Sequence, residues 1–437
     1  MRFKDGVLKA RSQIVFLVGL ASALGLIVLL EHWEVEGVVV RRPAVEKTAE
    51  IPTTQPRVLT EQEREWAQIA WRYFQNNTKE QTGLINSVDN YPASTLWDTA
   101  SSLLGILAAY RLELITQGEF DGRVTKILQS LAKMPLFENQ LPNKSYNTES
   151  LAMVDYGNKP VERGIGWSAI DIARFLVPLN IIAWNYPQHV QEVRAVVKHW
   201  DWNKLLRNGY LYGAFVGKNG ETVYVQEGRL GYEEYAAKAL SLLGMDTLSA
   251  LQQTDFLKYV RIYDIQVPTD SRNPEQYGAH NYVVSEPYIL DGIEFGWDDI
   301  SREFAFRVYA AQQERFTKTG MLTAVSEDNI DQAPYFVYNT VYTDGKVWSC
   351  ITDEGKNADA FRSISTKAVF GWHVLYGTPY TNKLLERIRP LHDPERGWYS
   401  GLYEKSQRPN KAITANTNAI VLEALAYKRF GKLVQMY

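Results

Sequence analysis

One unit recurs along most of this chain and constrains its fold more than composition does. It is an amphipathic helix, a polar and aromatic loop punctuated by glycine, then a helix that is apolar nearly all round. The first copy opens at Thr60, with Glu63 as a capping box, and TEQEREWAQIAWRYFQNN places Trp66, Ile69, Ala70, Tyr73 and Phe74 at helical spacing. TGLINSVDNYPAST follows as a turn, and LWDTASSLLGILAAYRLELI reads as a helix buried on most sides. The same order is legible at NGYLYGAF through GYEEYAAKALSLLG, at TGMLTAVSEDN through ISTKAVFGWHVLYG, and at RGWYSGLYEK through ITANTNAIVLEALAY. Two weaker copies fill the gaps. One runs from Val124 through PLFENQLPNKSYNTES to RGIGWSAIDIARFLVPL, and the other carries EQYGAHNYVVSEPYILDGIEFGW between helices near Phe256 and Phe304.

Six such hairpins predict an all-α body, an (α/α)6 toroid, with an open superhelix as the alternative architecture. In the toroid, the loops from outer to inner helix lie at one end and converge on the axis. Two of them carry β-hairpin signals, YLYGAFVGKNGETVYVQEG turning at Asn219-Gly220 and YFVYNTVYTDGKVWSCIT turning at Asp344-Gly345. These hairpins would wall the mouth of a central cavity.

Residues 14–30, IVFLVGLASALGLIVLL, contain no charge and only Ser22 as a polar side chain, enough to span a bilayer as one transmembrane helix. Arg2, Lys4, Lys9 and Arg11 precede the segment while Glu31, Glu34 and Glu36 follow it, so the N-terminus is expected in the cytoplasm and the body outside. A cleaved signal peptide is the rival, but the apolar run is long for one and continues into LLEHWEVEG without a small-residue cleavage site. Residues 35–58 hold Pro43, Pro52 and Pro56 without helical period and read as an extended linker. The expected organisation is therefore a tip and anchor over 1–34, a linker over 35–58 and the toroid over 59–437. The expected location is a bacterial inner membrane, spanned once, with the body in the periplasm or outside the cell.

A formal net charge of -3 gives no cationic excess for phosphates, which sets nucleic acid aside. Cys350 is the only cysteine, so an internal disulfide framework, a cysteine-rich zinc site and a CxxC pair are all excluded. The six histidines lack a zinc-ligand spacing, and no GxSxG elbow, P-loop or dinucleotide fingerprint appears. SEDNID offers four oxygen ligands but neither the alternation nor the glycine of an EF-hand loop, so no metal and no cofactor is expected. The 26 Tyr and 12 Trp suit stacking on sugar rings, although a large helical core also consumes aromatics.

TGLINSVDNYPASTLWDTAS, RGIGWSAIDIAR, QEGRLGYEEYAAK, SEPYILDGIEFGW, TAVSEDNIDQAPYF and ITANTNAIVLEAL resemble a bacterial family catalogued as domain of unknown function 3131, over roughly residues 63–430. The resemblance implies kinship with six-hairpin, glucoamylase-like glycosidases and an exopolysaccharide or envelope-glycan context. It hands over no catalytic pair.

Glycoside hydrolysis typically needs one carboxylic acid to protonate the leaving oxygen and one carboxylate to activate water or attack the sugar. The acids of the converging loops are the candidates. Glu227, in VQEGRLGY among Tyr224, Tyr232 and Tyr235, is favoured as the acid because partial burial by aromatics raises a carboxyl pKa, and Glu286 beside Tyr282, Pro287 and Tyr288 competes with it. Glu327 or Asp328, two loops round the axis, is preferred as the base. Asp98 is either catalytic or a helix-start carboxylate, Asp171 is set aside as a partner of Arg174 or Arg163, and Glu233 and Glu234 are read as helix-start acids. Tyr91, Trp97, Trp167, Tyr232, Tyr288 and Trp398 are the expected stacking platforms, with Asp89, Arg163 and Arg362 holding sugar hydroxyls or an acidic sugar. The expected function is a membrane-anchored, exported glycoside hydrolase acting on a poly- or oligosaccharide. Inversion is what the resemblance implies. The alternative is a non-catalytic glycan-binding scaffold working with polysaccharide-synthesis machinery.

Overall fold

The computed structural model describes residues 47–252 and 255–436. Among the described residues, twelve of the helices pair into six hairpins. The outer helices are α1 (Glu61–Asn77), α3 (Gln117–Leu131), α5 (Val190–Val197), α7 (Leu248–Leu251), α9 (Asp299–Thr319) and α11 (Pro379–Ile388). The inner helices are α2 (Leu96–Arg111), α4 (Ala169–Asn185), α6 (Tyr232–Ser241), α8 (Glu286–Leu290), α10 (Thr366–Tyr376) and α12 (Ala415–Phe430). Each inner helix packs on the next, and α12 packs back on α2, where Ser101 Oγ donates to Asn416 Oδ1 at 3.0 Å. That contact closes the ring and rules out an open superhelix. Inner helix α2 approaches its outer partner closely at Gly105, where a Cβ would stand 2.7 Å from the Phe74 ring of α1.

A single guanidinium ties most of the ring together at the axis. Arg174 of α4 donates to Glu294 Oε1 at 2.7 Å, to Tyr235 Oη of α6 at 3.0 Å and to Ser101 Oγ of α2 at 3.3 Å, and lies 3.6 Å from Glu423 of α12. Glu294 reaches it from a π-helical turn, Asp291–Phe295, that continues α8. Arg174 and both carboxylates are wholly buried. Charges taken so far from water are tolerated only when paired and hydrogen-bonded. Burial drives Glu423 well above the usual carboxyl range and raises Glu294 beside it, with Arg174 opposing in both.

The fourth repeat departs from expectation. Its outer helix shrinks to α7, and Phe256 leads into a β-hairpin instead of a helix: β3 (Leu257–Ile262) pairs in register with β4 (Ile265–Asp270). The helix containing Phe304 is α9, the outer helix of the fifth hairpin. Both signalled hairpins are present. β1 (Tyr210–Val216) pairs with β2 (Thr222–Gln226), and Tyr342–Thr343 pairs with Lys346–Val347 around Asp344 and Gly345 at φ 43° and 87°, as a type I′ turn requires. In the fifth loop β5 (Glu327–Asn329) pairs with β6 (Phe336–Asn339), and in the sixth β7 (Gly397–Tyr403) pairs with β8 (Pro409–Ile413).

At the opposite end, residues 47–58 are extended but not free. Thr48 donates to Glu303 from both its amide and its hydroxyl, Thr54 N donates to Leu375 O at 3.3 Å, and Arg57 N donates to Lys428 O at 2.8 Å. Leu375 and Lys428 lie in the last turns of α10 and α12, whose carbonyls have no partner within the helix. From Lys47 on, the expected linker is thus a strap across the closed end of the body. Among the described residues no helix is long and apolar enough to cross a membrane. The apolar segment 14–30 lies outside the described residues.

Candidate active site

The site grows from the first turns of the inner helices, where the chain turns inward from the loops. Thr95 caps α2 and Ser168 caps α4 by accepting from the amides of Asp98 and Asp171, at 3.1 Å each, and this sets both carboxyls at the mouth end of the ring. Ser168 Oγ also lies 3.1 Å from Asp171 Oδ1. Glu227, just past β2, turns its carboxylate onto the amides of Ala169 and Ile170 and onto Ser168, so Asp171 and Glu227 meet over one helix N-terminus. Space for Glu227 exists because Gly213 has no side chain: a Cβ there would stand 2.8 Å from Glu227 Oε2.

Asp98, Asp171 and Glu227 keep partial solvent contact yet are strongly desolvated, the combination found in a concavity. Burial, then the neighbouring Glu227, pushes Asp171 up to about 7. Burial also raises Glu227 and Asp98, against Lys144 for the first and the hydroxyls of Ser87 and Thr95 for the second.

A second group of acids surrounds Lys367 of α10. Its ammonium contacts Glu286 and lies 3.7 Å from Asp328. Glu286 Oε1 also accepts from Trp97 Nε1 at 3.0 Å and from Asn416 Nδ2 at 2.9 Å, and the residue is 1% exposed. Burial raises Asp328 to about 7, with Lys367 the largest opposing influence. Glu286 and Asp328 therefore stand beneath the mouth as fixed partners of a buried cation, not as groups open to substrate. Glu327 is 7% exposed: burial raises it, Lys367 opposes, and across the strands it pairs with Tyr338, whose ring stacks on Tyr282 at 3.7 Å and 4°.

The expected platforms divide. Trp97, Tyr232 and Tyr91 reach the surface near the acids, with Trp97 and Tyr232 edge to face at 5.6 Å. Trp167 and Trp398 are wholly buried core side chains, donating to Tyr212 O and Trp66 O at 3.1 Å each, and Tyr288 is 4% exposed. Strand pairing draws both tryptophans inward, so they cannot meet a sugar. Arg362 is occupied by Glu404 and Asp359, each at 3.3 Å, Arg163 by Glu138 and Thr222 at the rim, and Asp89 by Arg396 and Asn77.

Asp171 does not pair with Arg174, which turns down to Glu294 and Glu423. The helical spacing suggested a pair, but the guanidinium's partners come from distant parts of the chain. The three-residue step from cap to acid in Thr95–Asp98 recurs in Ser168–Asp171, a repeat that could have marked Asp171 and went unread. Lys367, Asn416, Tyr282 and Tyr338 carried no comparable mark. Among the described residues no group of three or more His, Cys, Asp or Glu side chains is arranged to hold a metal ion.

A family model described as Protein of unknown function (DUF3131) matches residues 65–431. The chain belongs to that family. No curated protein matches the sequence. Solved structures share the fold at low identity. An endo-β-1,2-glucanase from Chitinophaga pinensis, in complex with sophorotriose and glucose, has a TM-score of 0.60 at 13% identity, over 86% of this chain and 94% of that one. A β-1,2-glucanase from Parabacteroides distasonis has a TM-score of 0.58 at 11%, over 86% of this chain and 58% of that one. An endo-β-1,2-glucanase mutant from Talaromyces funiculosus, with β-1,2-glucan, has a TM-score of 0.55 at 12%, over 86% and 84%. The family member thus has the six-hairpin glycosidase fold.

Proposed function

We propose that this protein is an exported glycoside hydrolase, held at a bacterial inner membrane by residues 14–30, that cleaves an envelope glycan or exopolysaccharide at the mouth of the toroid. The observation that carries the proposal is the pair over the α4 N-terminus: Asp171, pushed up to about 7, beside Glu227, both still reached by solvent. A general acid works best when its pKa lies near the operating pH, and two adjacent carboxyls that cannot both ionise freely provide one.

In the scheme proposed, protonated Asp171 gives its proton to the glycosidic oxygen as that oxygen leaves the anomeric carbon. Glu227 stays beside it as the carboxylate that keeps the proton there. Hairpins two and five face each other across a six-membered ring, so Glu327 of the fifth is the carboxylate placed to take a proton from the water that adds to the opposite face. The anomeric configuration inverts, and both groups exchange protons with solvent to reset.

The three similar structures make linear β-1,2-glucan the first substrate to try. Incubating the full-length protein with it and following new reducing ends by proton NMR tests the scheme: an α-anomer formed first from the β-linkage supports inversion. One observation favours the scaffold reading, namely that Lys367 holds two of the expected acids. Glucan binding with no reducing ends released would decide for the scaffold.

A further inference from the structure

Tyr156 is left unused by this scheme, and its placement is unusual. An aromatic ring is a large apolar surface that folding normally covers, yet Tyr156 is 66% exposed. Its backbone is nevertheless fixed. Asp155 Oδ1 accepts from the amides of Gly157 and Lys159 at 2.9 Å each, the Asn158 amide donates to Asp155 O at 3.0 Å, and Tyr91 Oη donates to the carbonyl of Tyr156 itself at 3.1 Å. Among the described residues no other aromatic ring packs on it. A rigid turn therefore presents a bare ring.

Tyr156 belongs to the loop of hairpin two, at the mouth end of the ring, and Tyr91 of the neighbouring loop holds it there. The Tyr156 hydroxyl is held protonated by crowding first, then by the negative fields of Asp171, Glu227 and Asp353. The first two belong to hairpins two and three, and Asp353 belongs to the loop of hairpin five. Tyr338, the strand partner of Glu327, is in turn within reach of Tyr156's field. An exposed ring on a fixed turn, with charged neighbours from hairpins two, three and five, describes a ring standing free at the mouth on the side of the proposed acid.

We propose that Tyr156 is the platform on which one pyranose ring of the glycan stacks beside the bond to be cleaved. This rests on the glycan-hydrolase reading above. A pyranose presents an apolar C–H face and a polar hydroxyl edge, and a tyrosine matches it with a flat apolar face and a phenolic tip. Fixing the turn in advance removes an ordering cost that binding would otherwise meet.

The test compares full-length parent, Tyr156→Phe and Tyr156→Ala on linear β-1,2-glucan, measuring affinity by calorimetry, steady-state kinetics and the melting temperature. Tyr156→Ala is expected to weaken affinity and raise KM about tenfold, the loss of one aromatic contact, while Tyr156→Phe stays within about twofold of the parent. Both variants should melt with the parent, because the ring buries little. Parental affinity and KM in Tyr156→Ala, from a parent that cleaves the glucan, would overturn this inference and leave the hydrolase standing. A melting temperature that falls with KM would make the role structural and overturn it too. A parent that neither binds nor cleaves the glucan overturns both.

Discussion

Two buried carboxyls at opposite ends of the toroid have been driven in opposite directions by their partners. At the closed end Glu63 loses solvent, but Arg57, Lys428 and the Thr60 amide converge on it and hold it down at about 2. At the mouth Asp171 loses solvent as well, and its strongest charged neighbour is another carboxylate, so it rises to about 7. Burial sets the cost in both places, and the partners decide who bears it. The closed end, strapped by residues 47–58, has the partners of a structural site. At the mouth Asp171 and Glu227 have Lys144 opposing them but form no ion pair, an arrangement that costs stability and makes proton transfer possible.

Beneath the mouth Lys367 does pair with acids, and removing it gives the largest expected effect. Lys367→Met leaves Glu286 and Asp328 buried without their cation, which should cost about 3–5 kcal/mol in denaturant unfolding. The double variant Lys367→Met/Glu286→Gln should recover part of that loss. A single variant as stable as the parent would mean that the lysine does not hold these acids.

Glu63→Gln should cost less, about 1–3 kcal/mol, because its pair with Arg57 is half open to water. Its sign with pH is fixed by the depressed value. The contribution is full above the unfolded carboxyl pKa near 4.3 and is lost as pH falls toward about 2. Parent and variant should therefore converge in stability on acidification. A gap that persisted at low pH would assign the effect to packing.

Asp171→Asn should behave in the opposite sense and by the smallest amount. Below the unfolded Asp pKa near 3.9 both states hold the proton and the substitution changes little. As pH rises toward about 7 the unfolded chain ionises while the folded mouth resists, and the parent loses stability that Asn keeps. At pH 8 the variant should melt roughly 2–5 °C above the parent, a gain that fades by pH 4. Equal melting at both pH values would remove the contrast between the two ends.

These residues also show what a linear sequence can and cannot carry. Asn219-Gly220 and Asp344-Gly345 marked their hairpins because a turn's backbone demands are local. The Thr60–Glu63 capping box and the apolar inner helices were legible for the same reason, and together they gave the six-hairpin ring. The fourth outer helix was misread because the residues after Phe256 form a strand pair in place of the repeat's helix. Asp171 was set aside because Arg174 sits one helical turn on, yet Arg174 spends its charge on Glu294 and Glu423, 120 and 249 positions away along the chain. Trp167 and Trp398 looked like loop aromatics until strand pairing turned them into the core. Glu227 was singled out for its aromatic neighbours, whereas the Ala169 and Ile170 amides that hold its carboxylate, and the fixed turn under Tyr156, exist only in the folded chain.

The central claim is that the acid pair at the mouth transfers a proton to a glycan, and the most direct measurement compares Asp171→Asn and Glu227→Gln with the parent on linear β-1,2-glucan and on an aryl glucoside whose leaving group needs no proton. Removing the general acid should lower glucan cleavage about 10²–10⁴-fold while affinity persists, and the aryl substrate should recover much of that loss in Asp171→Asn. Glu227→Gln should instead shift the basic limb of the pH profile to lower pH, since it no longer raises Asp171. Parental glucan turnover in Asp171→Asn would contradict the claim.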